Sequence, residues 1–179
     1  DGTAFQYIDY YGDFTSNEAA GAHGVVIAYG VWAEYGTTVN FNIPVTLNDT
    51  ASFYADDTAT LNMTKPLDAG EYRADFESYG TITVSGTISG TGGTAGRGDP
   101  ETLHKSGPGV LILSGSNNYT GATTVEEGTL VVGSDHALGS NADLLMGYGS
   151  GTLDIGTFNP VVGNLSTLSG EIVGTGTIT

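Results

Sequence analysis

A three-residue phrase returns along this chain: a glycine, then a threonine or valine, then an aliphatic residue. It stands at Gly80-Thr81-Ile82, Gly86-Thr87-Ile88, Gly109-Val110-Leu111, Gly128-Thr129-Leu130, Gly151-Thr152-Leu153 and Gly176-Thr177-Ile178. Recurrence on this scale means one structural unit built repeatedly, so the chain reads as a repeat fold. Around the phrases apolar and polar residues alternate, which is the pattern of a strand with one buried face. Strands are predicted at Val39–Asn42, Leu61–Met63 (entered at Thr60), Thr81–Val84, Val110–Leu113, Thr129–Val132, Thr152–Ile155 and Thr177–Thr179. Their starts at 39, 60, 81, 110, 129, 152 and 177 are spaced by 21, 21, 29, 19, 23 and 25 residues.

A unit of that length holds two or three short strands separated by bends. Stacking the units pairs each strand with its counterpart one layer away, about 4.8 Å along the stack. Aliphatic residues at alternate positions (Leu111 and Leu113, Leu130 and Val132, Leu153 and Ile155) then point inward and form a continuous core. The expected fold is all-β, a parallel β-helix of about seven coils and roughly 30–35 Å. Composition agrees: 29 of 179 residues are glycine, which disfavours helices and suits sharp corners. Glycine keeps no strict triplet, so collagen is excluded.

Two stretches break the rhythm. Residues 1–37 are rich in aromatics (Phe5, Tyr7, Tyr10, Tyr11, Phe14, Tyr29, Trp32, Tyr35) and are expected to form an N-terminal cap or irregular start, or an aromatic face for a sugar or partner protein. The β-helix is expected over 38–179, with a glycine-rich loop insertion near 90–101 that accounts for the longest spacing.

Twenty acidic residues face four basic ones, Lys65, Arg73, Arg97 and Lys105, for a formal charge of −16. Such a chain repels nucleic acid, whose binding depends on Lys and Arg, and repels anionic membrane surfaces. There is no cysteine, so no disulfide contributes. The longest apolar run, Val25 to Ala33, is broken by Gly30 and too short for a transmembrane helix. Asp1 opens no signal peptide, and the chain is expected to be a mature protein or an excised fragment.

From about Val39 onward the chain resembles the passenger domains of bacterial autotransporters. The likeness is densest over Leu103-His104-Lys105-Ser106-Gly107-Pro108-Gly109-Val110-Leu111-Ile112-Leu113-Ser114-Gly115, Asn118-Tyr119-Thr120-Gly121-Ala122-Thr123-Thr124-Val125 and Glu127-Gly128-Thr129-Leu130-Val131-Val132. This is similar to the autotransporter-associated β-strand repeat. The resemblance implies a right-handed β-helix exported unfolded across two membranes of a Gram-negative bacterium and displayed or released outside. It also implies an outer-membrane translocator barrel, whose alternating strands of about ten residues are not found within these residues.

No catalytic, cofactor or metal residue is predicted. His23, His104 and His136 lack partners at metal-ligand spacing. Gly133-Ser134-Asp135-His136 holds the letters of a serine-protease triad, but adjacency is not the geometry a triad needs. Asp56-Asp57 and Glu126-Glu127 are carboxylate pairs of the kind a glycosidase uses; on a strand, neighbours point to opposite faces, whereas in a turn that objection weakens. Gly92-Gly93-Thr94-Ala95-Gly96 does not fit a tandem calcium repeat, and Asp99 and Glu101 in a single loop could hold an ion only weakly. Gly90–Gly98 has no helix behind it to make a phosphate site. Three functions follow. The first is a non-catalytic structural or adhesive segment whose partner is another rod, a host glycan or a protein. The second is a subunit that self-assembles into filaments by strand augmentation at its ends. The third is a polysaccharide-degrading enzyme on the same scaffold.

Overall fold

The computed structural model describes residues 30–93, 100–147 and 149–179 in full, together with the strand segments lying before residue 30. The strands follow coil by coil. The first coil holds β1 (Ala4–Phe5), β2 (Ile8–Asp9) and β3 (Asp13–Phe14). The second holds β4 (Val25–Ile27), β5 (Gly30–Ala33) and β6 (Thr38–Phe41). The third holds β7 (Val45–Leu47), β8 (Ala51–Ala55) and β9 (Thr60–Met63), and the fourth β10 (Leu67–Asp68), β11 (Ala74–Ser78) and β12 (Thr81–Val84). The fifth holds β13 (Ile88–Ser89), β14 (Glu101–Ser106) and β15 (Val110–Leu113). Later coils carry two strands each: β16 (Ala122–Val125) and β17 (Thr129–Val132), β18 (Leu144–Met146) and β19 (Thr152–Asp154), β20 (Leu165–Thr167) and β21 (Glu171–Val173).

Each strand pairs in parallel with its counterparts in the adjacent coils. The first sheet runs β1-β4-β7-β10-β13 and has five strands; the second and third have eight each. This is a parallel β-helix. Strand starts agree with the sequence to within a residue from 39 to 152. The last differs: the third-sheet strand is Glu171–Val173, not Thr177–Thr179. The phrase at Gly176-Thr177-Ile178 lies instead on the first face, like Gly86-Thr87-Ile88, and its Thr179 exchanges backbone bonds with Pro160 and Val162. At the front, β3 adds a layer that the spacing count did not reach.

The core is built of columns from all three sheets, among them Val45, Leu67 and Ile88 on the first. On the third sheet Val39, Leu61, Ile82, Leu111, Leu130 and Leu153 stand in register and are fully buried. On the second sheet Val31, Phe53 and Phe76 stack likewise, the two phenylalanine rings 5.1 Å apart. Fully burying one such side chain contributes about 1.5–3 kcal/mol, so the columns supply the main driving force. Gly128 shows why a corner needs glycine. Its φ is +69°, and a Cβ there would lie 2.4 Å from the carbonyl oxygens of Gly107 and Gly109 one coil away.

Within the predicted insertion, residues 94–99 lie outside the described residues. Its neck is closed by an antiparallel bridge, with Gly93 and Glu101 exchanging N–H···O bonds of 3.1 Å in both directions. Of the aromatic residues predicted as a cap or face, Tyr7, Tyr10, Tyr11 and Tyr29 lie outside the described residues as well; Phe5 and Phe14 end β1 and β3, and Trp32 and Tyr35 belong to the second coil.

Candidate functional site

After β13 the first face carries no further strand among the described residues, and the Asn117–Gly121 stretch takes its place. Asn117 is buried. Its side-chain Oδ1 accepts from Ile88 N at 2.8 Å, and its Nδ2 donates to Ala137 O at 2.7 Å. The side-chain amide thus stands in for a peptide group and continues the ladder across three coils. Two residues on, the Tyr119 ring is wholly buried and its hydroxyl meets Thr123 Oγ1 at 2.7 Å. Burial pushes that phenol far above its usual range.

Lys105 occupies the most unexpected position. It lies in the inward column of the second sheet, between Phe76 and Val125, and is fully buried. Its Nζ donates to the carbonyls of Ser106 (2.6 Å), Gly107 (2.7 Å) and Glu127 (3.1 Å). Three acceptors match the three N–H groups of an ammonium, and they are the carbonyls of two successive corners between the second and third sheets. Burial pushes Lys105 down to about 8, against the pull of Glu127 and Glu77. The lysine therefore clamps corner to corner from the inside.

On the outside of the same sheet an ionic network crosses three coils. Arg73 forks onto Asp75 (Nε to Oδ1 2.5 Å, Nη2 to Oδ2 2.9 Å) and reaches Glu101 at 3.1 Å. Glu101 also holds His104 Nδ1 at 3.2 Å, and His104 Nε2 faces Glu126 at 3.4 Å. Burial disfavours each charge, yet the partners win. Asp75 and Glu101 raise Arg73. Hydrogen bonds from His104 and Thr124, with Arg73, hold Glu101 below the usual carboxylate value. Glu101, Glu126 and Asp75 raise His104. The sequence offered His104 no partner at metal-ligand spacing, yet its side chain is only 13% exposed and paired with two carboxylates. Register supplies the partners: Asp75 pairs with His104, and His104 with Thr124, on adjacent strands.

The remaining candidates are dispersed. His23 and Asp99 lie outside the described residues, and His136 is exposed in a turn. Ser134 Oγ donates to Gly115 O, and Asp135 Oδ1 accepts from Asn159 N, so both side chains tie coils together. Asp56-Asp57 and Glu126-Glu127 both lie in corners between the second and third sheets, not in strands. They follow β8 and β16, three layers or roughly 14 Å apart along the axis, too far to act on one bond. Among the described residues no group of three His, Asp or Glu side chains is placed to hold a metal ion. No helix of the described residues is long and apolar enough to cross a membrane.

An aromatic strip lies near Asp56-Asp57. Trp32 and Tyr54 are register partners on the outward face, and Glu77 follows Tyr54 one coil on. The Tyr54 and Tyr79 rings are 5.9 Å apart and tilted by 52°.

The stretch that builds Lys105, Asn117, Tyr119 and Gly128 is the one that known families recognise. Residues 103–132 match the passenger-associated-transport-repeat. The chain is also 33% identical over 138 residues, 76% of its length, to the adhesin BmaC autotransporter of Brucella suis biovar 1 (strain 1330). The chain is an autotransporter passenger segment. It spans about 4% of the length of that Brucella relative. No solved structure matches it. Membership places this passenger segment outside a Gram-negative cell, at its surface or beyond. Within the passenger repeat the distinctive lysine, asparagine and tyrosine have architectural roles: each satisfies backbone or fills space where two coils meet.

Proposed function

We propose that this passenger segment is a non-catalytic adhesive stretch, a stiff β-helical spacer that presents contact surface along its outer faces. The observation that carries the reading is where the polar chemistry goes. Inside, the buried polar groups Lys105 and Asn117 are committed to neighbouring coils and Thr123 to Tyr119 of its own coil, while carboxylates and aromatics gather on the outside of the second sheet and its corner. The relative from Brucella is named an adhesin, which supports the same reading. Export through an outer-membrane barrel belongs to this proposal.

The test is direct. Beads coated with the purified segment are expected to adhere to cultured host cells above bare beads and above beads coated with an unrelated β-helix. Adhesion no better than those controls, or release of reducing ends from a polysaccharide panel by the soluble segment, would overturn the proposal. Sedimentation of the same sample over a concentration series tests end-to-end assembly.

A further inference from the structure

We infer that the aromatic strip of the second sheet binds lysine- or arginine-bearing segments of a partner protein. The inference rests on the adhesive reading above and names the chemistry of its partner. Three rings lie along three successive coils: Trp32 on β5, Tyr54 on β8 and Tyr79 just after β11. Tyr79 is 46% exposed and Tyr54 is half-buried, so both rings offer surface to a partner. Asp56 lies within 3.5 Å of the Tyr54 hydroxyl, Asp57 is its exposed neighbour, and Glu77 sits one coil on from Tyr54. Ring faces attract cations within about 6 Å, and a carboxylate at the ring edge pairs with the same cation.

Charge complementarity selects the occupant. Of the four basic residues in the chain, Arg73 is forked onto Asp75 and Glu101, and Lys105 is sealed inside the core. Lys65 follows β9 and so stands at the corner between the third and first sheets, away from the strip. Arg97 lies outside the described residues. The strip is therefore acidic with no described basic residue of its own to neutralise it, in a chain of formal charge −16. Acidic glycans are repelled by such a surface. The 52° tilt between Tyr54 and Tyr79 also denies a neutral sugar one flat platform, but suits separate cationic side chains, each against its own ring.

Trp32 is the single tryptophan of the chain, so its fluorescence reports on this strip alone. The probe is a twelve-residue peptide of alternating Lys and Ser, titrated at low and at physiological salt. Binding is expected to change Trp32 emission. Tyr54→Ala with Tyr79→Ala is expected to weaken it about tenfold, while Tyr54→Phe with Tyr79→Phe keeps it, since the rings remain. Asp56→Asn with Asp57→Asn is expected to weaken it about tenfold too. Glu71→Gln with Glu171→Gln removes the same charge elsewhere and is expected to cost less than twofold. Equal losses in the two charge variants, no change of emission, or binding of a neutral oligosaccharide in place of the peptide would overturn the inference. Bead adhesion separates it from the wider reading: no adhesion by the unaltered segment defeats both, and adhesion that survives Tyr54→Ala with Tyr79→Ala defeats the strip alone.

Discussion

Replacing Asn117 by alanine removes one side chain and orphans two backbone groups. Ile88 N–H loses its acceptor at 2.8 Å, and Ala137 C=O loses its donor at 2.7 Å. Both lie where Asn117 itself is only 3% exposed, so water does not replace the lost partner at once. Each unsatisfied buried group costs about 1–3 kcal/mol, which puts Asn117→Ala at about 2–6 kcal/mol of stability. The loss is local in origin, so the sharpest assay is amide hydrogen exchange. Ile88 N–H is expected to lose protection strongly. Leu67 N–H, one coil away and bonded to Thr87 O, is expected to keep most of its own. Urea unfolding of the same variant supplies the total. Asn118→Ala is the control: Asn118 is exposed, its backbone bond to Ile88 O survives, and its effect is expected within about 0.5 kcal/mol. An Asn117→Ala protein that loses less than about 1 kcal/mol while Ile88 N–H stays protected would refute the idea that a side-chain amide carries the ladder.

Three further outcomes are expected. Glu101→Gln should lower the titration midpoint of His104, read from its imidazole proton shifts, because Glu101 is the main group holding the imidazolium; an unmoved midpoint would refute the network. The sign of its pH dependence follows from the two shifts. The contribution of Glu101 is full above its ordinary value of 4.5 and fades as pH falls through its lowered folded value. That of His104 is full below its ordinary 6.5 and fades as pH rises through its raised folded value. The network therefore stabilises most between these two pH values, and Glu101→Gln should narrow the stability gap to wild type outside that window. Gly128→Ala should lower the melting temperature more than Gly70→Ala. Both residues have positive φ, at a cost near 1 kcal/mol for a side chain, but only Gly128 also drives a Cβ into two carbonyl oxygens. An amine-acylating reagent should modify exposed Lys65 in the native protein and reach Lys105 only in urea, as seen by peptide mass spectrometry; native labelling of Lys105 would refute its burial.

The third sheet was legible because its signal is local. Thr129-Leu130-Val131-Val132 alternates, a glycine precedes it, and the same pattern recurs a coil away. The misplaced last strand has the same origin: Gly176-Thr177-Ile178 carries the phrase, but the phrase serves two faces, and only the count of corners tells them apart. The Arg73–Glu101–His104–Glu126 network was illegible because its members come from three coils, and the spacing between β11 and β14 is stretched by the insertion. Lys105 was visible within the stretch of densest family likeness, yet nothing in its neighbours says that a lysine points inward. Only its place in the Phe76–Val125 column does. The carboxylate pairs were weighed as strand residues or turn residues, and the corners decided for the turn.

The change after β13 from three sheets to two has a mechanical consequence. Strands run across the rod, so a pull along its length loads the interstrand hydrogen bonds one layer at a time, as in opening a zip. Coils joined through three strand ladders share that load, whereas beyond β13 two strand ladders bear it, helped on the first face by scattered backbone bonds such as Asn118 N to Ile88 O and Ser140 N to Tyr119 O and by side chains such as Asn117 and Ser134. Under a pull along the axis the later coils are expected to yield first, so that the segment stretches as a stiff spring with a built-in softer end.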